Sequence, residues 1–209
     1  MNATIGHVLA GDQRAVMNAP VLLTPADLDA NPWAYCGPAA LAALIQRPLP
    51  ALREHFALRA NTKGRSDWVN LAMMKQAIHS LGAIGLSFEE TRPGGLVPGT
   101  TWRERAWPLC GLVQIQFRGS WDTLGPMHPA QFERSHWIAT VPAGHHLGAT
   151  RSERVMVFDV NAVDDTTGCP GGWMTRETWE TRMVPYLVRG LGKSASGALW
   201  VRAGLEVRL

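Results

Sequence analysis

What this chain has little of already narrows its function. Cysteine occurs three times in 209 residues, at Cys36, Cys110 and Cys169, with no C-x-x-C pair. That spacing supports neither a disulfide framework nor a zinc ribbon, and a reducing compartment is the default. Charge is sparse: 18% of residues are charged and the net charge is +3, with no dense basic run. Nucleic-acid binding needs basic residues clustered on one face, so it is not expected here. No stretch approaches the 18 or so consecutive apolar residues of a membrane-spanning helix, so no membrane span is expected. The N-terminal MNATIGHVLAGDQRAV lacks a basic region leading into a long apolar one, so no signal peptide is read there. A cytoplasmic location follows as the expectation, free or built into a larger particle. There is no repeat, phosphate-cradling loop or dinucleotide fingerprint, and no convincing metal-ligand cluster. No cofactor and no metal is therefore expected.

Hydrophobic residues make up 46% of the chain, enough for the core of one domain. Tyrosine is scarce (two) while tryptophan is abundant (nine), and the indoles fall mostly beside apolar or turn positions. They read as core and loop anchors.

Residues 1–30 read as an irregular segment, with turn signals in TPADLDANP, and residues 31–209 as one domain. From Gly37, AALAALIQR is apolar on nearly every side and stops at Pro48, which predicts a short buried helix with Pro38 in its first turn. Pro50 opens a weaker amphipathic segment. Ser66 reads as the cap of DWVNLAMMKQAIHSLG, and Gly82 as its C-terminal glycine. Beyond this the period changes. AIGLSFE, GLVQIQFR, SHWIATVP, RVMVFDV and ALWVRAGLEVRL read as strands, TWRERAW and TRETWETR as short helices. Helices followed by strands predict an α+β fold with a mostly antiparallel sheet.

The candidate chemistry starts at NPWAYCGPAALAAL. Cys36 is either a small hydrophobe at a turn or a nucleophile at a helix start. Unpaired N–H groups and the positive end of the helix dipole favour a negative sulfur at such a place. A thiolate nucleophile needs a base, and the base needs an orienting group. Among seven histidines, His136 begins an apolar strand. Asp159 ends the next strand, and Asn161 follows in the exit turn. A hairpin centred near residues 147–148 sets His136 beside Asp159. The alternatives are plain: His136 as a satisfied core histidine, Asp159 and Asn161 as turn caps. His145 and His146 read as solvated at the hairpin tip, with metal binding the lesser alternative, and Asp164 with Asp165 as a polar turn. Cys110 reads as buried and inert, Cys169 as a loop thiol.

YCGPAAL resembles the nucleophile motif of papain-like cysteine peptidases, closest to the branch that processes bacteriocin leaders. SHWIATV resembles that family's histidine strand, VMVFDVNA its strand ending in Asp, and GGWMTRETWETRMVPYLV the segment after it. The resemblance implies a papain-like α+β fold, with a helical N-terminal half whose nucleophile helix packs on the sheet. It implies a Cys36–His136–Asp159 triad that cleaves a peptide or amide bond in a peptide or protein substrate through an acyl-enzyme. The family places a glutamine before the cysteine to bind the oxyanion. Here Asn31 is the nearby amide, and Asn161 is the candidate to share the orienting role. Two other readings stand beside this one. One is a papain-like scaffold with little or no catalysis, serving a phage particle or a secretion machine. The other is acyl transfer by the same residues.

Overall fold

The computed structural model describes residues 23–31, 35–56, 69–84, 87–91, 107–119, 135–143, 155–163, 170–190 and 195–208. Within them the chain is α+β, as the order of periodicities predicts. Four helical segments come first: α1 (Pro25–Ala30), α2 (Cys36–Ile45), α3 (Leu49–Leu52) with a 3-10 turn to His55, and α4 (Leu71–Ser80) with a 3-10 turn, Leu81–Ile84. Strands β1 (Ser87–Thr91), β2 (Gly111–Gly119), β3 (Ser135–Pro142), β4 (Val155–Phe158), β5 (Trp173–Thr175) and β6 (Ala195–Arg208) form one sheet in the order β1-β6-β2-β3-β4-β5. Every pairing is antiparallel. Between β5 and β6 run α5 (Arg176–Thr178), a π-helical turn (Trp179–Met183) and α6 (Val184–Gly190). No helix among the described residues is long and apolar enough to cross a membrane.

The α2 helix is buried from Gly37 to Leu44, which is why its sequence shows no polar face. It packs across β3. Its core joins Leu49, Leu52, Met74, Ala77 and Ile78 of the neighbouring helices to Trp137, Ala139 and Phe158 of the sheet. The other sheet face carries Val113, Ile115, Ile138 and Val157 under Trp179 and Met183. With both faces covered, β3 is buried at every position from His136 to Thr140. That explains its unbroken apolar run in an antiparallel sheet.

Several sequence expectations need correction. Residues 25–30 are helical, because Thr24 and Asp27 form a reciprocal capping box with Pro25 in the first turn. The supposed turn residues are thus a helix start, while residues 1–22 lie outside the described residues. Helix α4 starts later than expected: the Asn70 side chain caps it by accepting from the Met73 N–H. Ser66 lies outside the described residues, as do residues 101–106 of TWRERAW, both members of the His145–His146 and Asp164–Asp165 pairs, and Cys169. Gly82 lies inside the 3-10 turn that continues α4 and has no positive φ. The short helix read at TRETWETR extends to Gly190, through the π turn.

Candidate active site

The site lies where the start of α2 meets the ends of β3 and β4. Cys36 is the first residue of α2, and its exposure is intermediate. The first helical hydrogen bond runs from the Ala39 N–H to the Tyr35 carbonyl. Pro38 carries no N–H, so the orphan donors of this helix start are those of Cys36 and Gly37. Gly37 is required by close approach: a Cβ there would lie 2.8 Å from the Val69 Cβ. Val69 cannot retreat easily, since its carbonyl accepts the Trp137 indole N–H at 2.7 Å. The same valine thereby ties the helix start to the strand bearing His136.

His136 and Asp159 come together by strand register. Ala139 pairs with Phe158 and Pro142 with Val155. Continuing that register would set Asp159 opposite Ile138, two residues from the direct His136 pairing expected from sequence. An even offset keeps both side chains on one face. Asp159 Oδ1 then meets His136 Nε2 diagonally at 3.0 Å. His136 also lies close enough to Cys36 for that side chain and its charge to raise the proton affinity of the ring. With Nε2 taken by Asp159, Nδ1 is the ring nitrogen left for the sulfur.

Asp159 is fully buried and accepts on both oxygens. Oδ1 takes, besides His136, the Asn161 backbone N–H at 2.9 Å and the Asn161 Nδ2 at 3.1 Å. Oδ2 takes the Trp179 indole N–H at 2.8 Å. Its backbone is fixed too: the Asp159 N–H donates to the Gly172 carbonyl at 3.0 Å. Gly172 has φ +83°, and a Cβ there would sit 2.8 Å from the Asp159 carbonyl oxygen, so only glycine fits. Asn161 therefore braces the carboxylate. Trp179 is a member of the site that sequence reading counted only among the core and loop anchors, and nothing in WETR distinguishes an indole that donates from one that merely packs.

Asn31, the expected oxyanion amide, is used elsewhere. It terminates α1, and its Nδ2 folds back on the Asp27 carbonyl at 2.8 Å. Its short side chain is the reason, since it meets the carbonyls of its own helix first. The structure supplies no contact between Asn31 and Cys36, and residues 32–34 between them lie outside the described residues. The hollow bordered by Asn161, Met174, Thr178, Arg182 and Tyr186 contains neither Cys36 nor His136 in its walls.

The electrostatics follow from burial and pairing. Burial alone disfavours the imidazolium of His136. The Asp159 carboxylate, its hydrogen bond and the nearby side chain and charge of Cys36 outweigh that and raise the His136 pKa from 6.5 to about 10. Burial likewise disfavours the Asp159 anion, but His136, Trp179 and Asn161 prevail and hold its pKa below 3.8. Both shifts express one buried ion pair, whose partners hold each other charged. Cys110 is the contrast: burial first, then the Glu206 carboxylate, push its thiol up to about 11. It is only half-buried, not sealed as the sequence suggested, and the raised pKa disfavours the reactive thiolate. His55, which has no partner recognisable in the sequence, bonds Ser80 Oγ at 2.9 Å.

A pH dependence of stability follows. The raised His136 contributes stability that is complete below 6.5 and is lost as pH rises through about 10. The lowered Asp159 contributes stability that is complete above 3.8 and is lost as pH falls through its folded value. Denaturation midpoints of wild type and His136→Ala should therefore differ most between those limits, and the difference should shrink as the pH is raised towards 10. A difference that stays constant across the alkaline range would mean that the pair is not charged.

Compared with known proteins, the chain matches no family model, no curated protein and no solved structure. The functional reading therefore rests on the geometry and on the resemblance of the cysteine motif.

Proposed function

We propose that this protein is a thiol hydrolase of papain-like type that cleaves a peptide or amide bond through an acyl-enzyme on Cys36. The observation that carries the proposal is the series Cys36–His136–Asp159: a half-exposed sulfur at a helix start, a buried imidazole near enough to feel it, and a buried carboxylate 3.0 Å from that ring. These are the roles of nucleophile, acid–base and orienting group. In this reading the sulfur attacks the substrate carbonyl while His136 keeps its proton. Collapse of the tetrahedral adduct breaks the C–N bond, and His136 gives that proton to the departing amine. Water, deprotonated by His136, then releases the acyl group and restores the thiolate–imidazolium pair. The N–H groups of Cys36 and Gly37 are the oxyanion donors this helix start offers. The domain would then be papain-like in arrangement as well as α+β in class.

The second reading, a scaffold kept for assembly, is favoured by one observation: the Asn31 amide is committed to Asp27. Loss of one oxyanion donor lowers a rate by about 10²–10³ and does not by itself remove the reaction. Incubation with a panel of peptide p-nitrophenyl esters, followed by mass spectrometry of the intact protein, separates the two. A transient acyl adduct confined to Cys36 supports the hydrolase. Absence of any adduct over the whole panel supports the scaffold. Retention of the adduct until an amine is added would favour acyl transfer.

A further inference from the structure

We propose that Trp179 is the residue that positions Asp159, its indole N–H fixing the rotation of the carboxylate that presents Oδ1 to His136. The consequence for catalysis rests on the hydrolase reading, whereas the positioning itself is testable without it.

The two oxygens of Asp159 are held unequally. Oδ1 receives three donors, from His136 and twice from Asn161. Among the described residues Oδ2 receives one, from Trp179 at 2.8 Å. Asn161, two residues on in the same turn, holds Oδ1 only and puts no donor on Oδ2. Trp179 arrives from a separate element and holds that second oxygen, so the plane of the carboxylate is fixed at both ends. Both residues are completely buried, so no water stands ready to replace the indole.

Trp179 is itself clamped. It opens the π-helical turn Trp179–Met183, a form whose wider winding redirects a side chain and recurs at functional sites. Trp107 meets its ring edge-on, with centroids 5.6 Å apart and planes at 71°. The Arg176 guanidinium covers Trp107 at 4.5 Å from the ring centroid. Arg176 Nε in turn donates to Glu180 Oε1 at 2.7 Å. A partly exposed ion pair thus braces Trp107, which braces Trp179, which holds Asp159.

Trp173 supplies a built-in control. Its ring packs on Phe158, the residue before Asp159, with centroids 5.5 Å apart. Its own indole nitrogen is buried and has no hydrogen-bond partner among the described residues. Two indoles therefore flank the same strand end, and one of them donates to the carboxylate.

The experiment compares Trp179→Phe with Trp173→Phe. Each keeps an aromatic body and deletes an N–H. The readout is the acid titration of the His136 imidazole, followed by NMR with ¹³C-labelled histidine and assigned by its loss in His136→Ala. A donor to the carboxylate lowers its proton affinity, so Trp179→Phe should move the acid limb up by about one to two pH units. Trp173→Phe should leave it in place. If Trp179→Phe does not fold, the wild-type Trp179 indole N–H resonance decides: it should resist exchange and shift with the same acid midpoint as His136. Equal behaviour of the two variants, or an indole resonance indifferent to that midpoint, overturns the positioning role. Failure of the hydrolase reading is seen separately, as absence of an acyl adduct on Cys36 in wild type.

Discussion

Replacing Cys36 with alanine is expected to remove hydrolysis, by about 10⁶-fold in kcat on any ester or peptide that the wild type turns over. The fold should survive. Cys36 is the first residue of α2 and only half-buried, and alanine is the best helix former. Cys36 packs only partly against the core, and the fully buried residues of α2 begin at Gly37 and are untouched. The change in stability should stay within about 1 kcal/mol. Steady-state rates and thermal melts on the same preparation check both halves. A variant that keeps a tenth of the wild-type rate would place the nucleophile elsewhere.

The second large effect is expected from Asp159→Asn, a change that alters volume hardly at all. The carboxylate accepts on both sides, from His136 and Asn161 on one oxygen and from Trp179 on the other. An amide has one accepting oxygen and one donating nitrogen. If its oxygen faces His136, its NH₂ faces the Trp179 N–H; if it turns over, its NH₂ faces the donors of His136 and Asn161. Either way a buried donor loses its acceptor, and His136 loses its counter-charge. A stability loss of about 3 kcal/mol is expected. Activity should fall by about 10⁴-fold, the order seen when an orienting carboxylate becomes an amide. The same substitution at an exposed turn carboxylate would do neither. Near-wild-type melting and turnover in Asp159→Asn would show that the second oxygen and its indole donor do not matter.

Legibility in the sequence tracked the physics of each element. The α2 helix and β3 were readable because burial on all sides forces long apolar runs, and Ser135–Pro142 is the strand that SHWIATVP suggests. The meeting of His136 and Asp159 was readable because the ends of two neighbouring strands of one hairpin limit where their side chains can lie. The α1 helix was hidden because Thr24, Pro25 and Asp27 are turn residues and capping residues alike. The three residues of β5 are too few to show alternation. The two-residue displacement in the β3–β4 register is set by pairings along the strands, which a hairpin centre estimated to within one residue does not resolve. Asn31 was misplaced because amide chemistry says nothing about which carbonyl lies nearest. Trp179 was missed because its role depends on a π turn that no spacing in WETR announces.

The most direct measurement is the rate at which iodoacetamide labels Cys36 at about pH 6, in wild type and in His136→Ala, with modified sites located by mass spectrometry. The account predicts that Cys36 labels first, that Cys110 stays unlabelled because its thiol is pushed up to about 11, and that His136→Ala slows Cys36 by tenfold or more. Labelling of Cys36 that is no faster than that of Cys110, or that is indifferent to His136, would contradict the triad.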